Sequence, residues 1–387
     1  MRSTKAIIHL ENFKHNINAI RGFTKAGTKM CVPVKADAYG HGSVECARAA
    51  LECGVEYLAV ATVDEGIELR ENGIGSPILL FSLCDPEEVS DAVKNDITPF
   101  VFDDDYIDLF AEEVKRQKKT GYPVHLAVDT GMGRIGCLPE EAATVALHIA
   151  DTKVLVQEGT MTHFALSDDK ATPSIEYTKL QFQRFQEAIQ NIKDAGYNPG
   201  ICHCANSAAS LDLPEMHLDM IRPGIIVYGY DAGDVNSEYL RSKGKPIELK
   251  PVMTLVTKVS AIKEFKKGMS VGYGRTWISD RDTKIAVLPI GYGDGFVRRF
   301  STSGVQVSIN GKSYPIRGRI CMDQCMVDLG PDTDVKRWDT VVLFGSKSDG
   351  AVMTAQDIAD KTGTISYEIT TVLTRRVPRV FTRVFTH

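Results

Sequence analysis

Between residues 29 and 228 the chain repeats one local pattern eight times: a short apolar run, then an amphipathic stretch. The runs are KMCVPVK, YLAVAT, ILLFS, TPFVF, VHLAVD, VLVQEGTMTHF, ICHCA and LDMIRPG. Apolar residues in unbroken runs, rather than at alternate positions, point to strands buried on both faces, as in parallel sheets covered by helices. Stretches with helical periodicity, such as Val44 to Glu52, Glu140 to Ala150 and Tyr177 to Ala195, supply the cover. Eight such units in about two hundred residues suit a closed (β/α)8 TIM-like barrel better than an open sheet. After residue 245 the period changes. PVMTLVTKVSAI, KIAVLPIGY, VQVSINGKSYPIR and DTVVLFG alternate with period two, and Asn310-Gly311 is a hairpin signal, so a mostly antiparallel β domain is expected. The expected fold class is α/β: a barrel at 11–242 and a β domain at 243–387 joined by residues 1–10, with Lys243 to Pro251 as linker.

This organisation accounts for 387 residues, too many for one ordinary core. A net charge of −5 offers no polyanion-seeking surface and argues against nucleic acid as a partner. No apolar stretch is long enough to span a bilayer, and MRSTKAIIHLENF lacks the apolar run of a signal peptide, so a cytoplasmic protein without a membrane partner is expected. Nine cysteines without framework spacing read as reduced thiols. The clusters CHC at Cys202 and CMDQC at Cys321 put neighbouring side chains on opposite faces and contain no CxxC pair; no metal site is expected.

In a barrel of this kind chemistry sits at the C-terminal ends of the strands. Lys35 ends the first strand, Arg134 follows the fifth in VDTGMGRIG, His163 ends the sixth, CANSAAS follows the seventh and IRPGI ends the eighth. The loops after the last two strands are where barrels hold phosphate, and Ser207, Gly224 and Ile225 supply a hydroxyl and backbone amides there. A lysine facing a phosphate site suggests pyridoxal phosphate, its aldehyde carried on Lys35. Tyr39, one helical turn beyond Lys35, is placed to donate to the same phosphate. Arg222 ends the eighth strand on the cofactor side. A guanidinium only donates, so it would keep the pyridine nitrogen unprotonated and favour return of a proton to Cα. His163 is placed to hold Arg222 and to pack on the ring face.

These residues lie within motifs that resemble those of the bacterial alanine racemases: VKADAYGHG, DTGMGRIG, THFA, ANSAA, RPG, GYGRTW, PIGYGDG, GRICMDQ and ISYE, in that order along nearly the whole chain. The resemblance implies a pyridoxal phosphate enzyme working as a head-to-tail homodimer, with D-alanine for the cell wall as its product. Lys35 would carry the cofactor and exchange the proton on the D-face, while Tyr273 from the β domain of the partner subunit would exchange it on the L-face. Racemisation needs a base on each face of a planar carbanion, so the pairing is chemically coherent. Arg134 and the Met322 amide would hold the substrate carboxylate. Tyr39, Ser207, Gly224, Ile225 and Tyr367 would hold the phosphate. Tyr292 and Tyr367 would narrow the entrance, with Asp168, Arg298 and Arg319 lining the approach.

One departure stands out. Many family members carry a carbamylated lysine two residues before DTG, where this chain has Ala127. A chloride ion near Arg134 and Ala127 is the expected replacement, because an unpaired, partly buried guanidinium is costly. The same change leaves a serine or broad-spectrum amino-acid racemase as the competing activity. A barrel-type decarboxylase would need an acidic partner for the pyridine nitrogen where this chain has Arg222, and a pyridoxal phosphate carrier would have no use for the β domain.

Overall fold

A computed structural model describes residues 2–382 of the chain. Met1 and residues 383–387, the last five of the expected β domain, lie outside the described residues. After an N-terminal strand β1 (Lys5–His9), the eight apolar runs form eight parallel strands: β2 (Lys29–Pro33), β3 (Tyr57–Val60), β4 (Ile78–Leu80), β5 (Ile97–Val101), β6 (Tyr122–Ala127), β7 (Leu155–Met161), β8 (Ile201–His203) and β9 (Met220–Ile221). Ladders run without a break from β8 down to β2 and on to β9. The remaining seam, between β8 and β9, is held by the Asp219 N–H donating to Cys202 O at 3.0 Å and the Arg222 N–H to Ala205 O at 2.8 Å. The Cys202 N–H adds a bond to the Asp219 carboxylate at 2.8 Å, so a side chain helps to close the cylinder.

Inside it, Cys31, Tyr57, Ala59, Leu79, Phe100, Ala127, Met161 and Met220 form their own buried cluster. Outside pack α1 (Leu10–Arg21), α2 (Ser43–Glu52), α3 (Val63–Glu71), α4 (Val89–Lys94), α5 (Asp104–Arg116), α6 (Ala142–Asp151), α7 (Thr172–Asp194) and α8 (Ser207–Asp212). The local reasons are ordinary ones. In α5, Asp103 caps the Tyr106 N–H at 2.8 Å, and Ile107, Phe110, Ala111 and Val114 repeat at helical spacing on the buried face.

A short helix α9 (Ser237–Ser242) ends the barrel sequence. The following segment is pinned to α1: the Lys250 N–H donates to Asn16 Oδ1, and the Asn16 amide donates to Lys250 O, both at 2.8 Å. Then come β10 (Met253–Lys258), β11 (Ala261–Phe265), β12 (Ser270–Val271), β13 (Trp277–Ile278), β14 (Thr283–Leu288), β15 (Gln306–Ile309), β16 (Lys312–Pro315), β17 (Cys325–Gly330), β18 (Thr340–Phe344) and β19 (Arg379–Thr382). One sheet has the order β16-β15-β18-β10-β1-β19 and another β11-β14-β17. The expected hairpin turns at Asn310 and Gly311, whose φ values of 51° and 75° are those that an Asn-Gly turn requires. Strand β1 pairs antiparallel with β10 and parallel with β19, so both ends of the described chain are woven into this sheet. Two helices went unread in the β region, α10 (Ala355–Thr362) and α11 (Ser366–Thr371). Among the described residues no helix is long and apolar enough to cross a membrane, and no group of three or more His, Cys, Asp or Glu side chains could hold a metal ion.

Candidate active site

Lys35 stands two residues past the end of β2, and the backbone after it is unusual. Ala36, Asp37, Ala38 and Tyr39 have φ values of 52°, 54°, 53° and 53°, four consecutive side-chain-bearing residues in the left-handed region. The ordinary helical turn expected between Lys35 and Tyr39 is therefore replaced by one of opposite hand. Each such residue costs about 1–2 kcal/mol, so the turn persists only because its surroundings enforce it. The Glu65 carboxylate accepts from the Ala36 N–H at 2.6 Å and from the Ala61 N–H at 2.7 Å. Buried His41 donates from Nδ1 to Ala38 O and Tyr39 O, each at 3.0 Å. Arg379, on β19, donates to Gly40 O at 2.9 Å, and Asp37 accepts from the Ser43 N–H at 3.0 Å.

The left-handed turn delivers the Tyr39 hydroxyl to the loops after β8 and β9. There the Gly224 N–H donates to Ser207 Oγ at 2.8 Å. A Cβ on Gly224 would lie 3.1 Å from the Tyr39 hydroxyl and 3.4 Å from Ser207 Oγ, so the glycine leaves a small cradle open between two hydroxyls. Ile225 follows at the start of a 3-10 turn, and Ser207 is the first residue of α8, where Asn206 caps the Ala209 N–H. Tyr367, on α11, packs its ring 5.5 Å from that of Tyr39 and bonds to Ser207. Burial keeps both phenols protonated, raising Tyr39 far above its usual value and Tyr367 to about 12. Both are donors at neutral pH.

The rest of the mouth is cationic. Burial first, and Arg134 second, lowers the pKa of Lys35. Arg222 is buried and donates to Thr162 O at 2.8 Å, to His203 Nδ1 at 2.7 Å and to His163 Nδ1 at 3.2 Å, so the expected support from His163 is present. Burial, then Arg222, pushes His163 down to about 3, which leaves its ring neutral and able to accept. Arg134 is exposed in the single chain, contrary to the burial on which the chloride expectation rested; a solvated guanidinium has no comparable need of a fixed partner. His203 has no role in the sequence reading, where CHC is weighed only as a metal cluster and set aside. Strand alternation carries its signal: the thiols of Cys202 and Cys204 bond to Gly200 O and Met216 O, while the ring between them reaches Arg222 inside the barrel.

A second group gathers on the β domain. Tyr273 follows β12 and is 69% exposed, Met322 53% and Tyr292 42%. The loops of Tyr292 and Met322 are tied together by the Tyr292 N–H donating to Cys321 O at 3.1 Å and the Gly293 N–H to Met322 O at 2.9 Å. Beneath them Asp294, fully buried, receives two bonds from Arg2, at 2.5 and 2.9 Å, and one from the Gly291 N–H at 3.1 Å. Arg319 packs beside the Tyr273 turn, near Gly272 and Gly274; Asp168 is exposed within electrostatic reach of Tyr367, and Arg298 is exposed. Among the described residues no hydrogen bond, ion pair or ring contact joins Tyr273 or Met322 to Lys35 within one chain. Within one chain the barrel-mouth group, which includes Tyr367, and the group around Tyr273 are separate clusters.

Comparison with known proteins follows the same division. The family described as alanine racemase, N-terminal domain, matches residues 8–232, and the one described as alanine racemase, C-terminal domain, matches residues 252–381. The chain is 48% identical over 383 residues to the alanine racemase of Treponema denticola, covering 98% of each. Similar solved structures include the alanine racemase of Clostridium difficile 630, 37% identical with a TM-score of 0.90 over 99% of this chain and 96% of that one. Another is the Bacillus anthracis alanine racemase with bound L-Ala-P, 34% identical with a TM-score of 0.90 over 99% of this chain and 96% of that one.

Proposed function

The chain belongs to the alanine racemase family, and on that premise we propose that it interconverts L-alanine and D-alanine at a site shared between two copies, with pyridoxal phosphate as cofactor. The observation that carries this reading is the convergence, in one barrel mouth, of a desolvated lysine, a hydroxyl-lined cradle that a single Cβ would fill and a buried arginine with only neutral partners. These residues fit the cofactor. Tyr39, Ser207, Tyr367 and the amides of Gly224 and Ile225 would bind its phosphate, Lys35 its aldehyde and Arg222 its ring nitrogen. Pyridoxal phosphate, when bound, draws electrons from Cα and makes its proton acidic.

The chain's own groups move that proton. Lys35 Nζ, held toward the free amine by burial, takes or returns it on the D-face. The partner subunit's Tyr273 does the same on the L-face. Arg134 and the Met322 amide orient the substrate carboxylate, and Tyr292 narrows the entrance. Residues 11–242 would thus supply the cofactor site, completed by Tyr367, and 243–387 would supply the second base to the partner. Arg222 has no proton acceptor to offer, which favours reprotonation at Cα over loss of the carboxylate. A chloride ion beside Arg134 and Ala127 belongs to the reading for a reason other than burial: Arg134 lies within electrostatic reach of both Lys35 and Arg222, and Glu65 is the carboxylate that acts on Lys35.

Chiral chromatography of L-alanine and L-serine, incubated separately with the protein and pyridoxal phosphate, tests the proposal. Alanine should reach an equal mixture of enantiomers faster than serine. Faster serine turnover would replace alanine as the substrate, and no racemisation of either would overturn the reading.

A further inference from the structure

A line of polar side chains descends through the barrel from the mouth, and only its first member, Arg222, has a role so far. Arg222 lies 2.7 Å from His203 Nδ1, His203 Nε2 lies 2.8 Å from His125 Nδ1, and His125 Nε2 lies 3.1 Å from Glu158 Oε2. Both imidazoles are fully buried, whereas the Glu158 side chain is 31% exposed in a cleft that Lys29, Asn198 and Asp219 also line. The Tyr57 hydroxyl lies close enough to this carboxylate for the two to interact electrostatically.

The donors and acceptors permit one sense of direction. A guanidinium only donates, so His203 must present a bare Nδ1 to Arg222 and carry its proton on Nε2. That proton needs a bare Nδ1 on His125, which then carries its own proton on Nε2. The last proton needs an acceptor, and the Glu158 carboxylate is one that cannot reverse the ladder while ionised. Burial lowers the pKa of both rings, consistent with neutral imidazoles, and the partners of Arg222 are neutral throughout.

Two backbone features accommodate this arrangement. Val124 pairs with Gln157 but His125 pairs with Gly159, so Glu158 is the extra residue of a β-bulge, a device that re-aims a side chain. Gly159 then makes room, since a Cβ there would lie 2.5 Å from both Nδ1 and Cε1 of His125.

We propose that Glu158 is a positioning residue for Arg222: through His125 and His203 it holds the ring tautomer that lets His203 accept from the guanidinium. Without that carboxylate His125 is free to carry its proton on Nδ1. His203 would then accept at Nε2 and turn an N–H against the N–H of Arg222. The tautomers follow from this chain alone; the catalytic consequence rests on the proposed action of Arg222 at the cofactor ring.

The test is nitrogen-15 NMR of the histidine rings in the full-length, cofactor-loaded protein, with absorbance and kinetics, for the natural chain, Glu158→Gln and Glu158→Leu. In the natural chain His125 and His203 should both be protonated on Nε2. Glu158→Gln, whose amide oxygen still accepts, should keep both tautomers and a kcat within about threefold. Glu158→Leu should lose the uniform Nε2–H state of His203, alter the visible absorbance and lower kcat about tenfold, with KM within about twofold. His203 protonated on Nδ1 in the natural chain would overturn the proposal without any variant. Unchanged tautomers and kcat in Glu158→Leu would also overturn it. Correct tautomers in a natural chain that racemises nothing would uphold the ladder and count against the proposed function instead.

Discussion

If Lys35 and Tyr273 divide one proton transfer between them, as proposed, single substitutions should separate their roles. Burial and Arg134 lower the pKa of Lys35, so its amine is free at a pH where an exposed lysine is charged. Lys35→Ala should abolish both racemisation and the visible absorbance of bound cofactor, read by an absorption scan and a chiral assay. A surviving absorbance band would remove Lys35 as the anchor. Tyr273→Phe touches no cofactor-holding group and should leave that band in place while kcat falls by about 10² to 10⁴. The loss should also be one-sided when deuterium uptake from solvent is followed by mass spectrometry. Exchange at Cα of D-alanine, served by Lys35, should persist, and exchange at L-alanine should fail; equal loss from both would deny the assignment of faces.

The left-handed turn is the element on which that chemistry depends, and Gly40 tests how firmly it is enforced. Gly40 continues the turn at φ 83°, and a Cβ on it would meet Thr370 O at 2.1 Å. Gly40→Ala therefore combines an unfavourable φ with a backbone clash across the domain contact, and should cost about 2–4 kcal/mol in urea unfolding. It should also weaken cofactor retention, because the same turn carries Tyr39; an unchanged midpoint would mean that the contact yields freely. None of this handedness was legible in VKADAYGHG. What enforces it comes from Glu65 and from Arg379, which is 339 residues distant from Gly40. The barrel strands were legible because two-sided burial demands apolar runs, and Lys35, Ser207 and Arg222 because they stand at the ends of such runs. Helices α10 and α11 were not, since each is too short to establish a period against the strands around it. His203 and His125 illustrate a different obstacle: their meaning lies in a pairing across 78 residues that no local motif records.

For the whole molecule, buried histidines set an acid limit, and the proposed sharing of the site between copies makes a testable demand on assembly. His41, His125 and His203 are fully buried with pKa values below the ordinary 6.5, that of His41 at about 4, burial being the first cause in each. Below about pH 6.5 the unfolded chain binds protons that the native rings refuse, so stability falls as pH falls toward 4. The slope is about 1.4 kcal/mol per pH unit for each ring that stays neutral, and urea midpoints at pH 7 and pH 5 measure it. Equal midpoints would mean that the rings take up protons in the native state. The assembly is tested by a mixture. Tyr273, Met322 and Tyr292 are exposed apolar groups on one domain, and Met132 beside Arg134 is exposed at the barrel mouth, as two complementary halves of a covered site would be. If each site joins Lys35 of one copy to Tyr273 of the other, a heterodimer of Lys35→Ala with Tyr273→Phe holds one doubly damaged site and one intact site. Random pairing of the two inactive proteins makes half of the dimers mixed, each with half its sites whole, so co-expression should restore about a quarter of the natural activity. A site built within one chain would leave every copy damaged, and the mixture would stay as inactive as its components.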